Sequence, residues 1–325
     1  MSLFSELSEK IARKNLRIVF PESYDERIQG AVVRLKAEKL VEPVLLGNPE
    51  SLKAKAKDRG FDLGDIEIID PANYDDMENM VQAFVERRKG KATEEQAREI
   101  LKDENYFGTM LVYQDHVDGL VSGAVHSTGD TVRPALQIIK TKPGVSLTSG
   151  AFIMIRNEAE KYVFADCAIN INPNAQQLAE IAVESAKTAE MFNIDPTVGL
   201  LSFSTKGSAS SPEQEKVAEA TKIAKELAPQ YAIDGEMQFD AAFAHEVAMK
   251  KAPESDVAGK AKVFVFPEIQ SGNIGYKIAQ RLGGFEAIGP VLQGMNKPVS
   301  DLSRGCVEED VYKLAIITAN QALQD

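Results

Sequence analysis

The 325-residue chain has no tryptophan, only two cysteines (Cys167 and Cys306) and only three histidines. Two thiols far apart in sequence make neither a disulfide framework nor a zinc spacing, and they fit a reducing compartment. His116, His126 and His245 lack metal-ligand spacing. No run of 18 apolar residues occurs, so no membrane-spanning helix is expected. The N-terminus, MSLFSELSEKIARKNLRIVF, carries charges through its first helix-like stretch, and no signal peptide is expected there. Positive charge is also in deficit: 37 Lys and Arg stand against 49 Asp and Glu, a net charge of -12. That balance excludes a broad basic footprint for nucleic acid. Any anion site must be a local cluster of arginines, backbone N–H groups and helix ends within an acidic surface. The expectation is a soluble cytoplasmic protein with small-molecule partners.

What is present is ordinary for a globular protein, with 44% apolar and 26% charged residues. The length suggests two domains, large enough to bury a core without staples. Short apolar runs of strand length recur at Leu16–Phe20, Val44–Leu46, Ile66–Ile69, Thr109–Tyr113, Gly119–Val125, Phe152–Ile155, Tyr162–Ala165, Val198–Phe203 and Val263–Phe266. Most are continuous rather than alternating, as in strands buried on both faces. Helices are predicted between them. One starts at Asn172 as N-cap with Pro173 first in the helix. Another starts at Ser211-Pro212, with Gln214 placed for a capping box. The last runs from about Glu308 to Leu323, with three acids in its first turn. This alternation predicts an α/β fold with largely parallel sheets. Turn signals at Lys140–Gly144 and Asn296-Lys297-Pro298 predict two domains: residues 1–145 with 297–325, and residues 146–296.

Four segments stand at the start of predicted helices, and a polar loop between a strand and a helix is where α/β proteins place ligands. The densest is Asp301-Leu-Ser-Arg-Gly-Cys-Val-Glu-Glu-Asp310, where Ser303 and Arg304 can grip an anion and Asp310 can act as a base. The plain alternative is that Ser303 is a helix cap and Asp310 a surface acid matched to the helix dipole. In His126-Ser127-Thr128-Gly-Asp-Thr-Val-Arg133, Arg133 suits a phosphate, and His126 is either a hydrogen-bonded structural histidine or a general base. Ser202–Ser211, with Lys206 and Gly207, is not a P-loop, and Ser271-Gly-Asn-Ile-Gly275 is not a dinucleotide fingerprint. Both cysteines are expected to be structural.

Together the segments Val117–Leu136, Phe164-Ala-Asp-Cys-Ala168 with Asn172-Pro173, Leu201–Ser208, Asp234–Ala242, Phe266-Pro267 with Gly272-Asn273-Ile274, and Gly289-Pro290 leading to Lys297-Pro298 and Asp301–Cys306 resemble the phosphate acetyltransferase (phosphotransacetylase) family. The resemblance covers essentially the whole chain. It implies a two-domain α/β fold like that of the isocitrate and isopropylmalate dehydrogenases, an active site in the interdomain cleft, a homodimer, and no metal or redox cofactor. The implied reaction is acetyl-CoA + phosphate ⇌ acetyl phosphate + CoA, with coenzyme A as substrate. Carried over by motif, Ser303, Arg304 and Asp310 are catalytic. Arg133 and Arg281 bind substrate phosphates, with Ser127 and Thr128 beside them. Arg88 contacts coenzyme A, with Arg87 as the alternative register. Asp310 would take the thiol proton, and burial in the closed cleft is expected to strengthen it as a base. The thiolate would then attack acetyl phosphate directly while Ser303 and Arg304 hold the phosphoryl oxygens. A phosphate butyryltransferase, or a non-catalytic acetyl-CoA-binding protein, is the alternative.

Overall fold

The computed structural model describes residues 3–324. The chain divides into two compact units, Met1–Thr141 with Met295–Asp325, and Lys142–Gly294. The first is built on a five-stranded, all-parallel sheet. Its strands are β1 (Arg17–Phe20), β2 (Glu42–Leu46), β3 (Glu67–Ile69), β4 (Gly119–Ser122) and, after the chain returns from the second unit, β11 (Val299–Asp301). Their order across the sheet is β11-β4-β1-β2-β3. Ile18, Val19, Phe20, Leu45, Leu46, Leu120 and Val121 are buried, which explains the continuous apolar runs.

The helices of this unit are α1 (Leu3–Ile11), α2 (Glu26–Ala37), α3 (Pro49–Asp58), α4 (Met77–Arg88), α5 (Glu94–Ile100), α6 (Glu104–Tyr113), α7 (Thr128–Ile138) and the C-terminal α13 (Glu308–Ala322). They cover both faces. Ser300 meets Thr318 of α13 on one face, at 2.7 Å, while its neighbour Asp301 points to the other. On that other face Ser122 donates to Asn105 of α6 at 2.7 Å. Helix α1 buries Leu3, Leu7 and Ile11, a stripe of i, i+4, i+8 spacing, and packs on α13. Each such side chain contributes about 1.5–3 kcal/mol.

The second unit carries β5 (Ser149–Ile155), β6 (Lys161–Ala165), β7 (Val198–Leu201), β8 (Ile233–Met237), β9 (Val263–Val265) and β10 (Glu286–Gln293), ordered β10-β5-β6-β9-β7-β8. Strands β6, β9, β7 and β8 are parallel, whereas β5 and β10 run antiparallel at one side. Its helices are α8 (Ala175–Met191), α9 (Pro212–Leu227), α10 (Phe239–Phe243), α11 (His245–Lys251) and α12 (Ile269–Arg281). An aromatic cluster of Phe152, Tyr162, Phe164, Phe264 and Phe266 fills one face.

Three sequence expectations are corrected. Thr109–Tyr113 is the second half of α6, not a strand. Asp103 caps that helix by accepting from the N–H groups of Asn105 and Tyr106, and Phe107 through Val112 are all buried. A helix buried all round has the same continuous apolar pattern as a buried strand. The helix predicted from Asn172 begins at Ala175 instead. Asn174 and Gln177 form a reciprocal capping box at 2.9 and 3.0 Å, and Asn172 accepts from Lys216. At α9 only half of the expected capping box forms, with Ser211 accepting from the Gln214 N–H.

Candidate active site

Strands β11, β4 and β1 are adjacent and parallel, so their carboxyl ends share one edge of the sheet. The loops that follow them, 302–307, 123–127 and 21–25, lie side by side there. Gly123 has φ +109, and a Cβ on it would stand 2.5 Å from Asp301 Oδ1 and 2.6 Å from Leu302 N. Only glycine lets the two loops approach this closely.

The β1 loop supplies the framework. Glu22 is buried, and its Oε2 accepts from the N–H groups of Gly123 (2.9 Å) and Ala124 (2.7 Å). Its Oε1 accepts from Val125 (2.8 Å) and His126 (2.7 Å) and meets His126 Nδ1 at 2.8 Å. A carboxylate so supplied with donors fixes the path of the loop. Arg27 joins it to the third loop. Asp25 grips the guanidinium at Nε and Nη2, both at 2.8 Å, and that bonding holds the Asp25 carboxyl below its ordinary value. The remaining N–H groups of Arg27 donate to Ala124 O (2.8 Å), Arg304 O (3.0 Å) and Cys306 O (3.0 Å). One guanidinium thus spans the loop before α7 and the loop before α13.

On this framework, Ser127 caps α7. Its Oγ accepts from the Asp130 N–H at 3.3 Å and donates to Asp130 Oδ2 at 2.7 Å. Thr128 is the first helical residue and is exposed. Arg133, 60% exposed, stands one turn on, with Asp130 at 3.7 Å as its ion-pair partner. Beneath them lies Asp301, 1% exposed, whose Oδ1 has no hydrogen-bond partner. Burial pushes its carboxyl up to about 6, against the opposing effect of the Thr128 and Thr131 hydroxyls.

Ser303, Arg304 and Asp310 all belong to the third loop and the first turn of α13, and all three are exposed. Ser303 is not the helix cap: its Oγ accepts from the Gly305 N–H at 3.2 Å, and Val307 occupies the N-cap position. Asp310 Oδ2 accepts from the Val307 N–H at 2.9 Å, half of a capping box that valine has no side-chain acceptor to complete. Asp310 itself lies exposed in the first turn of α13.

The neighbouring arginines separate cleanly. Arg87 donates to Ile138 O (2.5 Å) and Ile139 O (3.0 Å) and lies over the Tyr113 ring, so it closes the C-terminal end of α7. Arg88 makes no hydrogen bond or ion pair among the described residues, and it shares the surroundings of Tyr106 with Arg133. Arg281 is exposed at the last turn of α12, in the second unit. Cys306 is buried, and burial pushes its thiol up to about 11. Burial also raises Cys167 well above its ordinary value, so neither sulfur is a ready nucleophile. Among the described residues, no group of three or more His, Cys, Asp or Glu is placed to hold a metal ion.

Sequence reasoning missed Glu22, Asp25, Arg27 and Asp301. The signal was available for the first three: Pro21-Glu-Ser-Tyr-Asp-Glu-Arg27 also joins an apolar run to a helix.

A parallel α/β unit with hydroxyl, guanidinium and carboxylate groups on neighbouring loops at one sheet edge is the architecture of an anion-handling enzyme. The chain belongs to the phosphate acetyl/butaryl transferase family, whose model matches residues 2–319. It is 66% identical over 321 residues to a phosphate acetyltransferase of Bacillus subtilis strain 168, covering 99% of both chains. A phosphotransacetylase structure from Streptococcus pyogenes aligns over the whole of both chains with a TM-score of 0.98 and 61% identity. A branched-chain phosphotransacylase from Enterococcus faecalis, 16% identical, shares the fold with a TM-score of 0.65 over 94% of this chain and 99% of that one.

Proposed function

We propose that the chain is a phosphate acetyltransferase, an acyltransferase that moves an acetyl group reversibly between coenzyme A and inorganic phosphate. The observation that carries this reading is end-to-end identity of 66% to a phosphate acetyltransferase. The gathering of Ser303, Arg304, Ser127 and Thr128 on adjacent loops, with Asp310 one turn into α13, supports it.

In the proposed mechanism both substrates bind together, and positioning supplies much of the rate. Arg304 and Ser303 hold the phosphoryl oxygens, and Arg133 and Arg281 bind further phosphate oxygens. Ser127 and Thr128 place the free N–H groups of the α7 N-terminus toward the anion. Arg88, rather than the engaged Arg87, contacts coenzyme A. Asp310 takes the thiol proton; bound coenzyme A would cover this exposed carboxylate, and loss of water strengthens a carboxylate as a base. The thiolate attacks the acetyl carbonyl directly, with no acyl-cysteine, resident metal or redox cofactor.

The same reading places the protein in the cytoplasm as a homodimer. Among the described residues no helix is long and apolar enough to cross a membrane. Helix α12 and its cap expose Ile274, Ile278 and Leu282 (85% exposed) at i, i+4, i+8 spacing, an apolar face for a second copy to cover.

The test is formation of coenzyme A thioester from acetyl phosphate and from butyryl phosphate. Preferential acetyl turnover is expected. Preference for butyryl would reassign the substrate, and no turnover with either would leave a binding role.

A further inference from the structure

The reaction just proposed has a proton requirement that Ser303, Arg304 and Asp310 do not meet. Thiolysis of dianionic acetyl phosphate forms a C–S bond and breaks the bond between the carbonyl carbon and the bridging oxygen. The electron pair of that bond stays on phosphate. Unprotonated, the product would be trianionic phosphate, a far stronger base and poorer leaving group than hydrogen phosphate. Asp310 is already assigned the thiol proton, a guanidinium does not give its proton up, and a serine hydroxyl would be left as an alkoxide. A second acid is needed at the phosphate.

We propose that His126 is the acid–base group on the phosphate side, its Nε2 giving a proton to the departing phosphate and taking one from hydrogen phosphate when that attacks acetyl-CoA. The proposal rests on the acetyltransferase reading and deepens it. Glu22 Oε1 accepts from the backbone N–H of His126 at 2.7 Å and meets the ring Nδ1 of the same residue at 2.8 Å. A carboxylate acting as acceptor makes Nδ1 the donor, which leaves Nε2 to exchange the working proton. The arrangement follows the logic of a carboxylate orienting a catalytic imidazole. Nε2 has no hydrogen bond among the described residues, and the side chain is 33% exposed.

The placement is equally specific. His126 directly precedes Ser127, the cap of α7, where free N–H groups favour an anion. Through Arg27, Ala124 O of the same loop is tied to Arg304 O of the loop bearing Ser303. The charged groups that face the ring are Glu22 from the β1 loop, Glu104 at the start of α6 and Asp130 on α7. Burial raises the Glu104 carboxyl, and the His126 charge opposes that rise. In each thiolysis His126 ends neutral and Asp310 protonated, the phosphate leaves as HPO4 dianion, and exchange with solvent restores both groups.

The test uses His126→Gln and His126→Ala in the acetyl phosphate assay, beside wild type. Glutamine keeps a donor for Glu22 but has no exchangeable lone-pair nitrogen. Both variants should lose about 10²–10⁴-fold in kcat with little change in KM, and added imidazole should restore part of the Ala variant's rate. A His126→Gln enzyme with wild-type kcat, or a His126→Ala enzyme that imidazole does not help, overturns the proposal. Wild-type turnover in the same assay separates this failure from failure of the acetyltransferase reading itself.

Discussion

Asp301→Asn should make the protein more stable above pH 6, and the gain should vanish in acid. The carboxyl is 1% exposed, its Oδ1 lacks a partner, and burial raises it to about 6 from an ordinary 3.8. In the window between those values the folded state holds more protons than the unfolded state. Stability therefore falls as pH rises through the window, and the cost is fully present above about pH 7. A shift of about two units corresponds to roughly 3 kcal/mol. Asparagine keeps the shape, removes the buried charge, and can donate to the Thr128 and Thr131 hydroxyls. For a unit of this size roughly 3 kcal/mol moves Tm by about 6–12 °C. Thermal and urea unfolding of both proteins, from about pH 4 to pH 8, would show the curves converging toward pH 4, separating as pH rises to about 6, and holding a constant gap above about pH 7. A difference that stays constant across that range would refute the reasoning, because it would mean Asp301 does not titrate there.

Three further outcomes follow from named contacts. Glu22→Gln turns an NH2 group toward at least one pair of loop N–H donors, so it should cost about 2–5 kcal/mol in chemical unfolding; a change under about 0.5 kcal/mol would show that the loop holds itself. Cys306→Ala removes a thiol held protonated by burial and should retain most activity, with no exchange of labelled phosphate into acetyl phosphate in the absence of coenzyme A; such exchange would indicate an acyl-enzyme. Ile278→Asp, at a position 53% exposed, should yield a folded monomer by light scattering, and an unchanged mass would place any interface elsewhere.

The sheet framework could be read from sequence where burial on both faces produced unbroken apolar runs, as at Ile18–Phe20 in β1 and Tyr162–Ala165 in β6. It could not where other patterns intervened. β10 carries Gly289-Pro290, and its pairing shifts register between Ile288 and Val291. β8 contains Asp234, Gly235 and Glu236, and α6 imitates a buried strand. At the candidate site, Ser303, Arg304 and Ser127 were visible because hydroxyls and guanidiniums before a helix suit an anion, although a serine there equally suits a cap, which is what Ser127 is. The loop holding Glu22 and Arg27 could be found by the same strand-to-helix pattern, but not what the two residues do, because that lies in bonds to residues about 100 and 280 positions away. Arg87 and Arg88 are indistinguishable by spacing, and only the carbonyls of Ile138 and Ile139 tell them apart.

The most direct test of the central claim is the rate of coenzyme A thioester formation from acetyl phosphate by wild type and by Asp310→Asn. Asparagine can still accept the Val307 N–H, so the fold should be kept. Fast turnover by wild type and a loss of about 10²–10⁴-fold in the variant are predicted. Equal turnover by the two would remove Asp310 as the base, and no turnover by wild type would contradict the account at its root.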